Sequence, residues 1–112
     1  MSTETDVKAA RTESLFRGVN ERIAEIADRF GAKDVSFVCE CSDPDCTDRV
    51  RATLNEYEDV RSDGAQFLMV EEHADPAIER VAERNRHFAL VEKVKPVVRR
   101  AVQRLNPRAA SV

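Results

Sequence analysis

Three thiols within eight positions, in the stretch Phe37-Val-Cys-Glu-Cys-Ser-Asp-Pro-Asp-Cys-Thr47, are the residues of this 112-residue chain whose types and spacing can do chemistry. Cys39 and Cys41 are two positions apart, so on a strand both point to one face and both can reach one ion. A disulfide between them is disfavoured, because residues two apart on an extended chain sit near or beyond the Cα separation that a bridge tolerates. Ser42-Asp-Pro-Asp45 is a turn signal that can fold Cys46 back as a third thiolate. Zinc takes four ligands in a tetrahedron and favours thiolate and imidazole, so one place remains. His73 is the first candidate for it, with His87, Asp43, Asp45 and Asp48 open as alternatives. A closed Cys3His site has no position for a substrate, and its expected work is structural.

The elements that must position these groups are read from periodicity. Leu15, Phe16, Val19, Ile23, Ile26, Ala27 and Phe30 share a face at helical spacing, and Gly31 supplies a left-handed stop. This predicts an amphipathic N-terminal helix over about 12–30. Val35 to Cys41 alternates as a strand that carries Cys39 and Cys41 on its buried face. Thr53 and Glu56 form a capping box that opens a short helix to about Arg61. Gln66 to His73 reads as a second strand, and Pro76 at a first helical position predicts a helix ending near Asn85. His87 to Lys93 is a third strand. Pro96 opens an amphipathic C-terminal helix whose stripe of Val97, Val98, Ala101, Val102 and Leu105 faces away from Arg99, Arg100, Gln103 and Arg104.

The expected fold is therefore α+β: a small mixed sheet of three strands packed with helices. One domain spans 12–106, flanked by a flexible N-terminus at 1–11 and a tail at 107–112. For His73 to meet the cysteines, the ends of the first two strands must share an edge. That requires those strands to be parallel, and the long helical link between them permits it. Antiparallel neighbours would count against His73.

Composition excludes several classes. Apolar residues at 42% and charged residues at 35% describe a charged globular domain. No run approaches the roughly 18 apolar residues that span a bilayer, and Met1-Ser-Thr-Glu-Thr-Asp6 lacks the basic and apolar regions of a secretory signal. The expected location is the cytoplasm, with no membrane partner. Thiols there are kept reduced, so the cysteines are expected to hold a metal or do redox work. Charge is divided unevenly: residues 1–75 carry 9 Lys/Arg against 18 Asp/Glu (−9), and residues 76–112 carry 9 against 3 (+6), which gives the net −3. Arg99, Arg100 and Arg104 are candidate partner-binding residues, although a basic end can equally pair with the chain's own acidic half.

Four stretches resemble a family of small actinobacterial proteins without an assigned activity: Leu15-Phe-Arg-Gly-Val-Asn-Glu-Arg22, Phe37-Val-Cys-Glu-Cys41 with Asp45-Cys-Thr47, Thr53-Leu-Asn-Glu-Tyr-Glu-Asp-Val-Arg61, and Ile78-Glu-Arg-Val-Ala-Glu-Arg-Asn85. The resemblance covers about 11–94 and implies a Cys-x-Cys-x4-Cys motif with a downstream histidine, a cytoplasmic location and no particular mechanism. No catalytic carboxylate pair, phosphate-cradling glycine loop or nucleophile elbow is present, so an enzyme is not favoured. The leading expectation is a zinc-stabilised binding or regulatory module that meets another macromolecule or itself. One alternative is a thiol redox sensor using Cys41 and Cys46. Another is a nucleic-acid-associated protein using the basic C-terminal helix.

Overall fold

The protein, described here from a computed structural model covering residues 3–108, begins with the helix α1 (Thr3–Arg29), which runs the length of the molecule. Residues 1, 2 and 109–112 of the two expected flanking segments lie outside the described residues. Residues 3–11 are helical and held down: Ala10 is buried, and Asp6 pairs with Lys95 at 2.6 Å. Gly31, at φ 70°, ends the helix in a Schellman arrangement, with Ala32 N donating to Ala27 O and Gly31 N donating to Asp28 O.

Two antiparallel sheets follow. Strands β1 (Asp34–Val38) and β2 (Arg49–Thr53) form a hairpin, with Val35 opposite Ala52 and Phe37 opposite Val50. Thr53 then caps α2 (Leu54–Arg61) through the reciprocal bonds with Glu56 that the sequence predicts. The second sheet has the order β3-β5-β4, from β3 (Gln66–Met69), β4 (Glu79–Arg84) and β5 (Ala89–Lys93). The chain closes with α3 (Pro96–Arg104), which buries Val98 and Val102.

Alternation splits the core across this second sheet. Phe67, Met69, Ala89 and Val91 face α3 and Ala10, while Leu68 and Leu90 face the hairpin and Tyr57, which stacks on Phe37 at 4.6 Å.

Three expectations are corrected. The single mixed sheet with parallel first strands is replaced by two sheets whose pairings are all antiparallel. The reason is β2, whose Arg-Val-Arg-Ala alternation pairs with β1 and takes the place assigned to the second predicted strand. The helix expected after Pro76 is instead a turn leading into β4. Asp75 collects the backbone N–H groups of Ala77, Ile78 and Glu79, Val81 pairs with Val91, and Asn85 accepts from His87 N and Phe88 N to turn the hairpin. Local helix propensity is weak beside such pairing.

The third correction concerns α1. Its buried face is Asp6, Ala10, Glu13, Arg17, Asn20, Ala24 and Ala27, whereas Leu15, Val19, Ile26 and Phe30 stand 68%, 42%, 48% and 80% exposed. Both rows have helical spacing, and buried polar partners rather than hydrophobicity decide which one turns inward.

Candidate metal centre

Val35 and Phe37 anchor β1 in the core, and the chain leaves the strand just before Cys39 with that row still buried. Cys39 N donates to Asp48 O at 3.0 Å and closes the base of the loop 39–48. Within it Asp43 makes the turn, accepting from Asp45 N through its side chain and from Cys46 N through its carbonyl. Cys46 is thereby returned to Cys39 and Cys41, as the Asp-Pro signal predicts. After β3, a single 3-10 turn (Glu71–His73) is closed by His73 N donating to Val70 O, and it swings the imidazole onto the thiols. His73 therefore arrives by a turn, without the parallel strand pairing on which its selection rested. The first predicted strand meets β3 through Glu40 N donating to Leu68 O.

Cys39, Cys41, Cys46 and His73 place one ligand atom each within 4.8 Å of all the others, close enough to hold a metal ion. His73 Nδ1 lies 3.4 Å from Cys39 Sγ and 3.6 Å from Cys46 Sγ. A tetrahedral zinc, with Zn–S about 2.3 Å and Zn–N about 2.0–2.1 Å, sets sulfur and nitrogen about 3.5 Å apart. On the far side of the ring, Nε2 lies 3.3 Å from Asp48 Oδ2. A proton on Nε2 donated to that carboxylate leaves the Nδ1 lone pair facing the sulfurs, the usual outer-shell arrangement of a metal-binding histidine. Searches of protein-family models, curated proteins and solved structures match nothing to this chain. The site is therefore read from its own geometry.

Backbone amides prepare the sulfurs for negative charge: Val70 N donates to Cys39 Sγ at 3.3 Å, and the Asp43 amide reaches Cys41. Burial works the other way and dominates, raising the Cys39 thiol well above its ordinary value and the Cys41 thiol to about 11. Raised in this way, the Cys39 and Cys41 thiols favour the protonated form at neutral pH, and a bound divalent ion would supply the charge that makes them ligands. All three cysteines are unbridged.

The remaining candidates are not part of that group. His87 is exposed in the β4–β5 turn, and Asp43 and Asp45 are exposed in the loop. Arg99 donates to Lys93 O at 3.0 Å, and Arg100 and Arg104 stand exposed on α3. No helix among the described residues is long and apolar enough to cross a membrane.

A second buried constellation has almost no signature in the sequence. Lys93 is fully buried, and its ammonium donates to Glu13 at 2.7 Å and to Glu79, both buried as well. Arg17 donates to Gly64 O and Val102 O, and the Phe67 ring lies against both Arg17 and Lys93, 4.5 and 4.7 Å from its centroid. Two carboxylates around one ammonium would leave an excess negative charge in a dry interior if both were ionised. Burial, and Glu79 beside it, push Glu13 up to about 8 against the opposing pull of Lys93. A buried polar row at heptad spacing on α1 is the only signal, and the apolar row next to it hides it.

Proposed function

We propose that the protein is a zinc-stabilised binding module of a reducing compartment such as the cytoplasm. The carrying observation is the convergence of two sulfurs on one imidazole nitrogen at 3.4 and 3.6 Å, with the third thiol in the same group. Three thiolates and one imidazole suit zinc among the common divalent ions, and calcium or magnesium would require oxygen ligands. With all four places taken by side chains, the ion has no position for a water or a substrate, so its work is to hold parts together. It would tie together the end of β1, the loop 39–48 and the turn after β3. The raised thiols speak against a free reactive thiolate at Cys41, which a redox sensor needs.

The test is the metal content of untagged protein purified without added metal. One zinc per chain is expected, with loss of that ion in Cys46→Ser. Metal-free protein carrying a reducible bond between Cys41 and Cys46 would sink the reading.

A further inference from the structure

Among the described residues, the outward face of α1 carries four of the six exposed large hydrophobic side chains. Leu15, Val19, Ile26 and Phe30 fall within an arc of about 60° on the helix. Phe30 stays on that face because its N–H continues the helical ladder to Ile26 O at 3.1 Å. Together the four expose on the order of 400 Å² of apolar side chain, as large as the biggest patch usually left on a monomer. The inward face of the same helix is held by Arg17, Asn20, Glu13 and Asp6, so α1 cannot roll over to hide the stripe.

The spacing of the stripe is itself symmetric. Leu15 and Phe30 lie equally far from the midpoint between Arg22 and Ile23, and so do Val19 and Ile26. An interface between identical copies must be self-complementary, each patch meeting itself across a two-fold axis. We infer that the exposed apolar stripe of α1 docks on a second copy of this chain, the two helices antiparallel about the Arg22–Ile23 midpoint. Leu15 then meets Phe30 of the other copy, and Val19 meets its Ile26.

Charge supports the same register. Arg22 and Glu25 flank the stripe on one side, both exposed; Glu25 has only a long contact of 4.0 Å with Arg29. The two-fold of the antiparallel pair keeps this flank of both copies on one side of the interface, so Arg22 of each copy lies beside Glu25 of the other, two such contacts against the single approach of Arg22 to Arg22 at the axis. Gly18 lies on this flank with open space where a Cβ would be, which leaves room for Arg29 of the second copy. Two such stripes contribute on the order of 800 Å² of apolar surface. At the roughly 65% apolar share of homodimer interfaces this corresponds to about 1,200 Å² in all, the lower end of specific contacts. An interface at that lower end suits a dimer that exchanges reversibly with the monomer.

Sedimentation equilibrium of the full chain from about 1 to about 300 µM tests it. The expected mass rises from the 12.6 kDa of one chain to twice that value. Ile26→Glu is expected to keep the chain monomeric while leaving its circular dichroism, melting temperature and metal content unchanged, so failure here is distinct from failure of the zinc reading. Arg22→Glu and Glu25→Arg are each expected to weaken the dimer about tenfold, and the double reversal to restore it. A monomer at every concentration overturns the inference, even if a different protein then binds the stripe. So does a dimer indifferent to Ile26→Glu, or a pair of charge reversals whose penalties add.

Discussion

The thiol–imidazole pocket and the Lys93 triad each bury groups that water would otherwise solvate, and they meet the electrostatic problem from opposite sides. The triad carries its own cation: the Lys93 ammonium sits between Glu13 and Glu79 with all three side chains fully inaccessible. The pocket of Cys39, Cys41, Cys46 and His73 has no cationic side chain in the group, and Asp48 meets the imidazole on its far side. A buried charge needs a partner in either setting. One partner is folded in with the chain and the other, on the zinc reading proposed above, would be recruited from solution, so the two regions should respond oppositely to chelators and to mutation.

The largest expected difference is the response to metal removal. A strong chelator at neutral pH should abolish the cooperative thermal transition followed by circular dichroism. Structural zinc sites contribute on the order of 10 kcal/mol, comparable to the whole stability of a domain. An unchanged melt would erase the contrast. Next comes Lys93→Met, which strands two carboxylates in the core and should lower the urea-unfolding free energy by about 3–5 kcal/mol with the metal still bound. Replacing Glu13, Glu79 and Lys93 together by apolar residues should recover most of that loss, because the desolvation penalty disappears with the charges.

A smaller effect is expected at Asp48. Asp48→Asn should weaken metal affinity about tenfold, the low end for an outer-shell carboxylate, because its side chain is 58% exposed; competition with a chromophoric chelator would measure it. The smallest concerns Glu13, whose folded pKa of about 8 lies above its ordinary 4.5. A raised acid binds its proton more tightly in the folded state, so its stabilising contribution is complete below 4.5 and is lost as the pH climbs through 8. Wild-type protein should lose about 1 kcal/mol between pH 7 and pH 8 relative to Glu13→Gln, read as the difference between their urea midpoints. Parallel pH profiles would show that the triad holds no extra proton.

How legible each region was follows from how local its determinants are. Cys39, Cys41 and Cys46 lie within one loop, and the strand alternation and Asp-Pro turn that gather them act over a few residues. The Thr53–Glu56 box, Pro96 and Gly31 are local in the same way, and the structure uses each as the sequence predicts. Lys93, Glu13 and Glu79 come from β5, α1 and β4, and no spacing rule joins positions 80 residues apart. The arrangement of strands failed for a related reason. β2 was hidden in a short polar stretch, and Glu79–Arg84 has helical composition that only pairing with β5 overrides.

By itself the sequence determined the gathering of three candidate thiol ligands, the caps and turns, and the existence of an amphipathic N-terminal helix, because these depend on side-chain type and short-range geometry. Tertiary structure alone decided which face of that helix is inside. Hydrophobicity favoured Leu15, Val19, Ile26 and Phe30, but Glu13, Arg17 and Asn20 find their partners at Lys93, Val102, Val38 and Glu40, all remote in the chain. Once those bonds form, exposing the polar row would cost more than leaving the apolar row in water, since a buried partner left unpaired loses its full desolvation energy. The choice rests on contacts that exist only in the folded chain, and it leaves the apolar stripe exposed.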